Sequence, residues 1–211
     1  MKLKLTLSSL ALMLFLSACK KETKVACLGD SITEGAGVAI QSTHAYPSIL
    51  AKILGQNYTV LNCGRSGATL LKKSDLPIWN CNEFSNVFAF KPNTIVIKLG
   101  TNDSKDFNWN APNFSQDFQK MLDTLSSIST VNKIFVCLPL PAFKREWSIN
   151  DSTIHAGVIP IIKKLERNNY VHLIDLNTPF LDKPELLPDG IHPNEKGAAL
   201  MAEIIAKEIS K

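Results

Sequence analysis

The sequence predicts an α/β fold, a parallel sheet with helices on both faces. Three observations carry this. Five short apolar runs recur along the chain, longer amphipathic segments alternate with them, and the short runs mostly lack the polar alternation of a strand with one wet face. The 211 residues are 45% hydrophobic and 20% charged, with 10 Gly and 11 Pro. That composition suits a globular domain with a substantial core and excludes a disordered or collagen-like chain. A net charge of +4, scattered along the chain, argues against a nucleic-acid partner.

Taken in order, Val25-Ala26-Cys27-Leu28 reads as the first strand. Ala45 to Leu54 follows as a helix, with Pro47 near its start and Gly55 at its end. Thr59-Val60-Leu61-Asn62 and Thr94-Ile95-Val96-Ile97 are the second and third strands. Asn113 to Ser129 is amphipathic and helical, and Ile134-Phe135-Val136-Cys137-Leu138 is the fourth strand. Asp151 to Asn168 is a second long helix that Pro160 should kink or restart. Val171-His172-Leu173-Ile174 is the fifth strand. Asn194 caps a last helix to about Ile209, with Leu200, Ile204 and Ile205 on one face. No internal repeat, low-complexity tract or interdomain linker is visible.

Ahead of the first strand, Lys2 and Lys4 precede an apolar run from Leu5 to Leu16, too short to span a bilayer as a finished helix. Small residues and a cysteine close it, Leu16-Ser17-Ala18-Cys19. The arrangement is that of an export signal, and the tetrapeptide resembles a bacterial lipobox. It implies a signal peptide over 1–18, lipid on Cys19 and a polar tether over 19–24. The expected location is the periplasm-facing or cell surface, with the lipid as the only membrane contact. An ordinary secretory signal with a chance cysteine is the alternative. Of the remaining cysteines, Cys27 and Cys137 sit in apolar runs as small buried residues, whereas Cys63 and Cys81 flank a loop and could pair. No His, Cys or carboxylate spacing suggests a metal site, and no cofactor is expected.

Sites in parallel α/β sheets lie beyond the carboxyl ends of the strands. Three polar segments follow strands here: Gly29-Asp30-Ser31, Asn62-Cys63-Gly64-Arg65-Ser66-Gly67 and Gly100-Thr101-Asn102-Asp103. A fourth, Asp189-Gly190-Ile191-His192, precedes the last helix. Each alone reads equally as a turn. In this order the four resemble the sequence blocks of the SGNH hydrolases, also called the GDSL esterase/lipase family. The resemblance runs from Val25 to the last helix, so the domain is placed at 25–211. It implies a flavodoxin-like three-layer α/β/α fold with a five-stranded parallel sheet. It also implies a catalytic triad of Ser31, His192 and Asp189, and an oxyanion hole from the amides of Ser31 and Gly64 and the side chain of Asn102.

The chemistry supports those assignments. A serine hydroxyl attacks well only when a base takes its proton, and an imidazole can accept and return one near neutral pH. Asp189, three residues before His192 across a glycine turn, can fold back to Nδ1 and fix the tautomer. Glycine at 64 would let the backbone approach substrate without a Cβ in the way.

Rival assignments are weaker. Ser66 sits in a near-match to a Gly-x-Ser-x-Gly elbow, but Ala68 stands where the last glycine belongs. Asp30 and Asp103 are expected to hydrogen-bond their loops, with Asp30 kept as a possible substrate contact. His172 lies within a strand and His155 begins a helix, whereas His44 could reach the cleft. Phe107, Trp109, Pro139, Pro141, Phe143, Arg145 and Trp147 follow strands and could wall the pocket. The aromatics could stack on sugar rings or line an acyl channel, and Arg145 could hold a sugar carboxylate. Export and the lack of a long apolar lid point to a small acyl ester on a carbohydrate, as in many exported relatives within the family. A longer-chain esterase, thioesterase or lysophospholipase, and a vestigial glycan-binding lipoprotein, stay open. The sequence does not fix the oligomeric state.

Overall fold

A computed structural model of the chain describes residues 22–165 and 170–211. The expected signal peptide, Cys19 and the end of the helix expected to reach Asn168 lie outside them. Five parallel strands form one sheet: β1 (Thr23–Gly29), β2 (Tyr58–Gly64), β3 (Thr94–Lys98), β4 (Lys133–Cys137) and β5 (Val171–Ile174), in the order β2-β1-β3-β4-β5. Around them lie α1 (Ser31–Glu34), α2 (Gln41–His44), α3 (Tyr46–Leu54), α4 (Asn82–Phe90), α5 (Ala111–Ser126), α6 (Asp151–Thr153), α7 (Ile159–Lys164) and α8 (Glu195–Ile209).

The period of two along β1 separates the helical layers. Ala26 and Leu28 belong to one buried cluster with Val87 of α4, Phe114 and Phe118 of α5 and Ile162 of α7. Val25 and Cys27 belong to the other, with Tyr46 and Leu50 of α3 and Met201, Ala202 and Ile205 of α8. Both faces of the central strands are therefore covered, as their unbroken apolar runs require. The edge strands differ from that expectation: Thr59 and Asn62 of β2 and His172 of β5 are exposed. An edge strand has one neighbour, and its outer side chains reach past the covering helices.

Some boundaries shift, α5 among them, and one helix is unexpected. Thr23 and Lys24 are paired with Tyr58 and Thr59, so the strand takes up the end of the expected tether. α4 has no counterpart in the sequence reading, because Cys81 at its start offers no side-chain cap. Pro160 acts as expected. Residues Ile154–Val158 form a π-helical turn, where the Ile159 amide bonds the Ile154 carbonyl, and Pro160 has no N–H to continue an α-helical register from the preceding turn. The four described cysteines, including Cys63 and Cys81, are free thiols. Burial pushes the Cys63 and Cys137 thiols up to about 12 and the Cys27 thiol higher still.

β1 has β2 on one side and β3 on the other, so the chain reverses its direction of travel across the sheet between β1 and β3. Gly29 and Lys98 are paired there. A Cβ on Gly29 would stand 2.6 Å from the Lys98 carbonyl oxygen and 2.1 Å from Thr33 Oγ1, so only glycine fits between the strand and α1. The Lys98 side chain has no solvent exposure. Its ammonium donates to Asp30 Oδ1 and Oδ2 at 3.3 and 3.1 Å and to Thr101 Oγ1 at 2.7 Å. Burial depresses the Lys98 pKa, opposed by the Asp30 carboxylate. Behind the loop after β2, the Asp103 carboxylate accepts the Leu70 and Leu71 amides at 3.0 and 2.7 Å, and burial pushes its pKa up to about 7.

Removing one member of a buried pair strands the other charge, which typically costs about 3–5 kcal/mol. Lys98→Met should lower the unfolding free energy by about that much in urea titration; an unchanged midpoint would show the pair to be unimportant. Asp103 has the opposite sign from a usual surface carboxylate. Between the ordinary carboxylate value and about 7, the folded chain holds a proton that the unfolded chain has released, so this group's contribution declines as pH rises across that window. In Asp103→Asn the change in unfolding free energy from pH 4.5 to 7 should be more positive than in the parent.

Candidate active site

The four polar segments converge beyond the carboxyl ends of β1, β2 and β3. Ser31 is the first residue of α1, and Asp30 caps that helix by accepting the Ile32 amide at 3.0 Å. The cap leaves the serine at the turn between strand and helix. Ser31 Oγ lies 2.9 Å from His192 Nε2, across 161 residues of sequence separation. His192 Nδ1 lies 2.7 Å from Asp189 Oδ2. The other Asp189 oxygen accepts the His192 and Ile191 amides at 2.7 and 2.8 Å, over a turn at Gly190 with φ +89°. Burial pushes the Asp189 carboxyl up, but these two amides and the His192 ring outweigh it and hold its pKa below the ordinary carboxylate value. An ionised Asp189 keeps the imidazole proton on Nδ1, which leaves Nε2 free to accept from Ser31.

Three residues with available donors, Ser31, Gly67 and Asn102, line one cleft, a space of about 360 Å³ walled also by Ala36, Ser66, Lys105, Trp147, Ile149 and His192. Neither the Ser31 nor the Gly67 amide bonds any other group among the described residues. Asn102 Nδ2 gives one hydrogen to the Ala68 carbonyl at 3.2 Å, which orients the amide and leaves its second hydrogen unpaired among the described residues. Such fixed dipoles can meet the negative oxygen of a tetrahedral adduct.

Gly64 does not take the place expected of it. Its amide is already bonded to Asn62 Oδ1 at 2.9 Å, and a Cβ there would stand 2.1 Å from the Glu34 nitrogen. This glycine lets β2 pack against α1. The cleft-facing glycine is Gly67, reached after the chain turns through Arg65 and Ser66, with the Ala68 amide bonded to the Arg65 carbonyl at 3.0 Å and φ +81° at Gly67. An Asn two residues before a glycine is an Asx-turn signal, and it already predicts that the Gly64 amide is occupied.

The expected substrate contacts mostly lie elsewhere. Asp30 is fully buried beneath the nucleophile segment, paired with Lys98. His44 is on exposed α2, 3.8 Å from Glu195, and does not line the cleft. Trp109 packs against Phe114 and over Gly157. Phe143 and Arg145 line a neighbouring hollow with Asn150 and Asp151, and the Arg145 guanidinium bonds Asp106 rather than facing the serine. Ser66 bonds Glu34 and has no histidine partner. His172 stacks beside Phe135, and His155 is 3.5 Å from Asp151.

Of the aromatic residues after the strands, Trp147 does reach the cleft. Its ring centroid is 5.0 Å from that of His192, at 61°. Trp147 and Ser148 both have left-handed backbone, φ +51° and +63°. Consecutive non-glycine residues in that region cost on the order of 1–3 kcal/mol each. Ala36, Lys105 and Ile149 complete the walls; they lie in loops whose positions in space no local pattern fixes.

A sequence model of the GDSL-like lipase/acylhydrolase family matches residues 27–200. The chain is 42% identical over 205 residues to an acetylxylan esterase of Xylanibacter ruminicola, covering 88% of this chain and 43% of that protein, so the match spans less than half of the relative's length. It is 27% identical over 219 residues to an arylesterase of Vibrio mimicus, covering 97% and 98% of the two. Among solved structures, a carbohydrate acetylesterase from Sinorhizobium meliloti superposes with a TM-score of 0.68 at 18% identity, over 90% of this chain and 99% of that one, and so shares the fold. With the match running from β1 into α8, the chain belongs to the GDSL-like lipase/acylhydrolase family.

Proposed function

We propose that the protein removes short acyl groups, acetyl foremost, from carbohydrates through an acyl-enzyme on Ser31. The observation that carries this is the unbroken relay from Ser31 through His192 to Asp189, set beside three donor-bearing residues of the same cleft. Ser31 Oγ attacks the ester carbonyl as Nε2 takes its proton. The carbonyl oxygen becomes an anion facing Ser31 N–H, Gly67 N–H and the Asn102 amide. The bond to the alcohol then breaks, and the alcohol oxygen leaves with the proton from Nε2. Water attacks the acyl-enzyme by the same route, releasing the carboxylic acid and restoring the Ser31 hydroxyl.

Two observations favour a short acyl group on a sugar. Among the described residues, the apolar side chains on the cleft wall are those of Ala36, Trp147 and Ile149, which give a long chain little surface to bury. The relatives named above include an acetylxylan esterase, which makes acetylated xylan the first substrate to try. Export and anchoring through Cys19 belong to the same proposal. Their support is the basic start, the apolar run and the Leu16-Ser17-Ala18-Cys19 tetrapeptide.

Ser31→Ala and His192→Ala should each reduce kcat by about 10⁴-fold or more, and Asn102→Ala by about 10²–10³-fold, measured on p-nitrophenyl acetate. Purified variants at the parent rate would end the mechanism. Across p-nitrophenyl esters, kcat/KM should fall steeply beyond butyrate, and acetate should be released from acetylated xylan; a rise toward octanoate would reject the short-acyl reading. In a bacterial host, Cys19→Ala should move the protein from the membrane fraction to the soluble one. Unchanged fractionation would remove the anchor.

A further inference from the structure

We propose that Trp147 is the platform on which the sugar ring of the ester's alcohol half stacks, held in place by the Asp106 carboxylate. The inference rests on the carbohydrate reading above and names the residue that would select for it.

The first argument is directional. The leaving oxygen must come within hydrogen-bond reach of His192 Nε2 to take its proton. The alcohol half of the ester therefore lies alongside the imidazole, and the acyl half points away from it. Trp147 is the aromatic neighbour of that imidazole, with 5.0 Å between ring centroids. A pyranose on the leaving oxygen passes beside the indole. Trp147 is 55% exposed, so its ring is not consumed by the core. An indole offers the apolar C–H face of a sugar a flat, polarisable surface while the hydroxyls stay wet. Polar groups from Ser66 and Lys105 stand in the same cleft.

The second argument is the backbone. Trp147 has φ +51° and ψ +28°, followed by Ser148 at φ +63°. Glycine or asparagine would sit there with less strain, yet a bulky aromatic occupies the position. The residues on either side are pinned. Arg145 and the Asn150 side chain both donate to Asp106, the Asn150 amide donates to Ser104 Oγ at 3.1 Å, and the Ile149 amide bonds the Glu146 carbonyl at 3.0 Å. Asp106 and Ser104 belong to the loop that carries Asn102. The clamp thus fixes the indole relative to the oxyanion donor, and its site over the histidine is maintained against the local preference of the chain.

The test compares two acetyl esters, methyl tri-O-acetyl-β-xylopyranoside and ethyl acetate. The quantity read is the ratio of their kcat/KM values, in the full-length protein and in Trp147→Ala, Trp147→Phe, Trp147→Gly and Asp106→Ala. Trp147→Ala should lower the ratio by about 10-fold through loss of stacking, and Trp147→Phe should restore most of it. Asp106→Ala should lower the ratio in the same direction by loosening the platform. Trp147→Gly should lower the ratio while leaving the melting temperature unchanged or higher, since glycine relieves the left-handed backbone. A packing role would instead lower the melting temperature and leave the ratio alone, and that result would overturn the inference. A ratio within twofold of the parent in Trp147→Ala would also overturn it. If the unaltered protein hydrolyses ethyl acetate but not the xylopyranoside, the carbohydrate reading fails, and this inference with it.

Discussion

An ammonium group with no access to water joins the two halves of the site. Lys98, at the end of β3, reaches the Asp30 carboxylate at the end of β1 and the Thr101 hydroxyl beside Asn102. Asp30 in turn caps the helix whose first residue is Ser31. Ser31 and the Asn102 side chain are thus registered to each other through one buried ion pair at the point where the sheet order reverses. A pair of this kind contributes little net stability against an apolar alternative, but it has strong directional demands. Such demands suit a place where two loops from different strands must meet to within a few tenths of an ångström.

The rest of the site is arranged around that fixed point in order of rigidity. Asp103, one residue beyond Asn102, holds the Leu70 and Leu71 amides and so ties the loop after β2 to the loop after β3. Asp189 spends one oxygen on backbone amides and the other on the imidazole, so its own position is set before it sets that of His192. Asp30, Asp103 and Asp189, the carboxylates around Ser31, are each occupied in positioning something else. Among the described residues, the Ser31 and Gly67 amides and one hydrogen of Asn102 are left without a partner.

Much of this was legible in the sequence, and the physical reason is the short range of the rules involved. Strands covered on both faces announce themselves by unbroken apolar runs, and β1, β3 and β4 do so. A histidine three residues after an aspartate can be paired on paper, because the turn between them is local. Gly64 and Gly67 could not be separated by counting, since one ends β2 and the other follows three residues on. The distinguishing feature is the Asn62 side chain, which already occupies one of the two amides. His44, Trp109, Phe143 and Arg145 follow strands as site residues do. Their directions depend on contacts with Glu195, Phe114 and Asp106, partners that sequence spacing does not reveal. α4 escaped notice because its first turn lacks a capping side chain.

The free thiols have a consequence of their own. Cys27, Cys63 and Cys137 are buried, and burial keeps them protonated across the physiological range, where a thiol neither attacks a disulfide nor oxidises readily. The described domain is held by non-covalent contacts, with no disulfide among its described residues. Folding of the described residues therefore calls for no disulfide oxidase or disulfide isomerase, and reductants in the medium should leave the described fold unchanged.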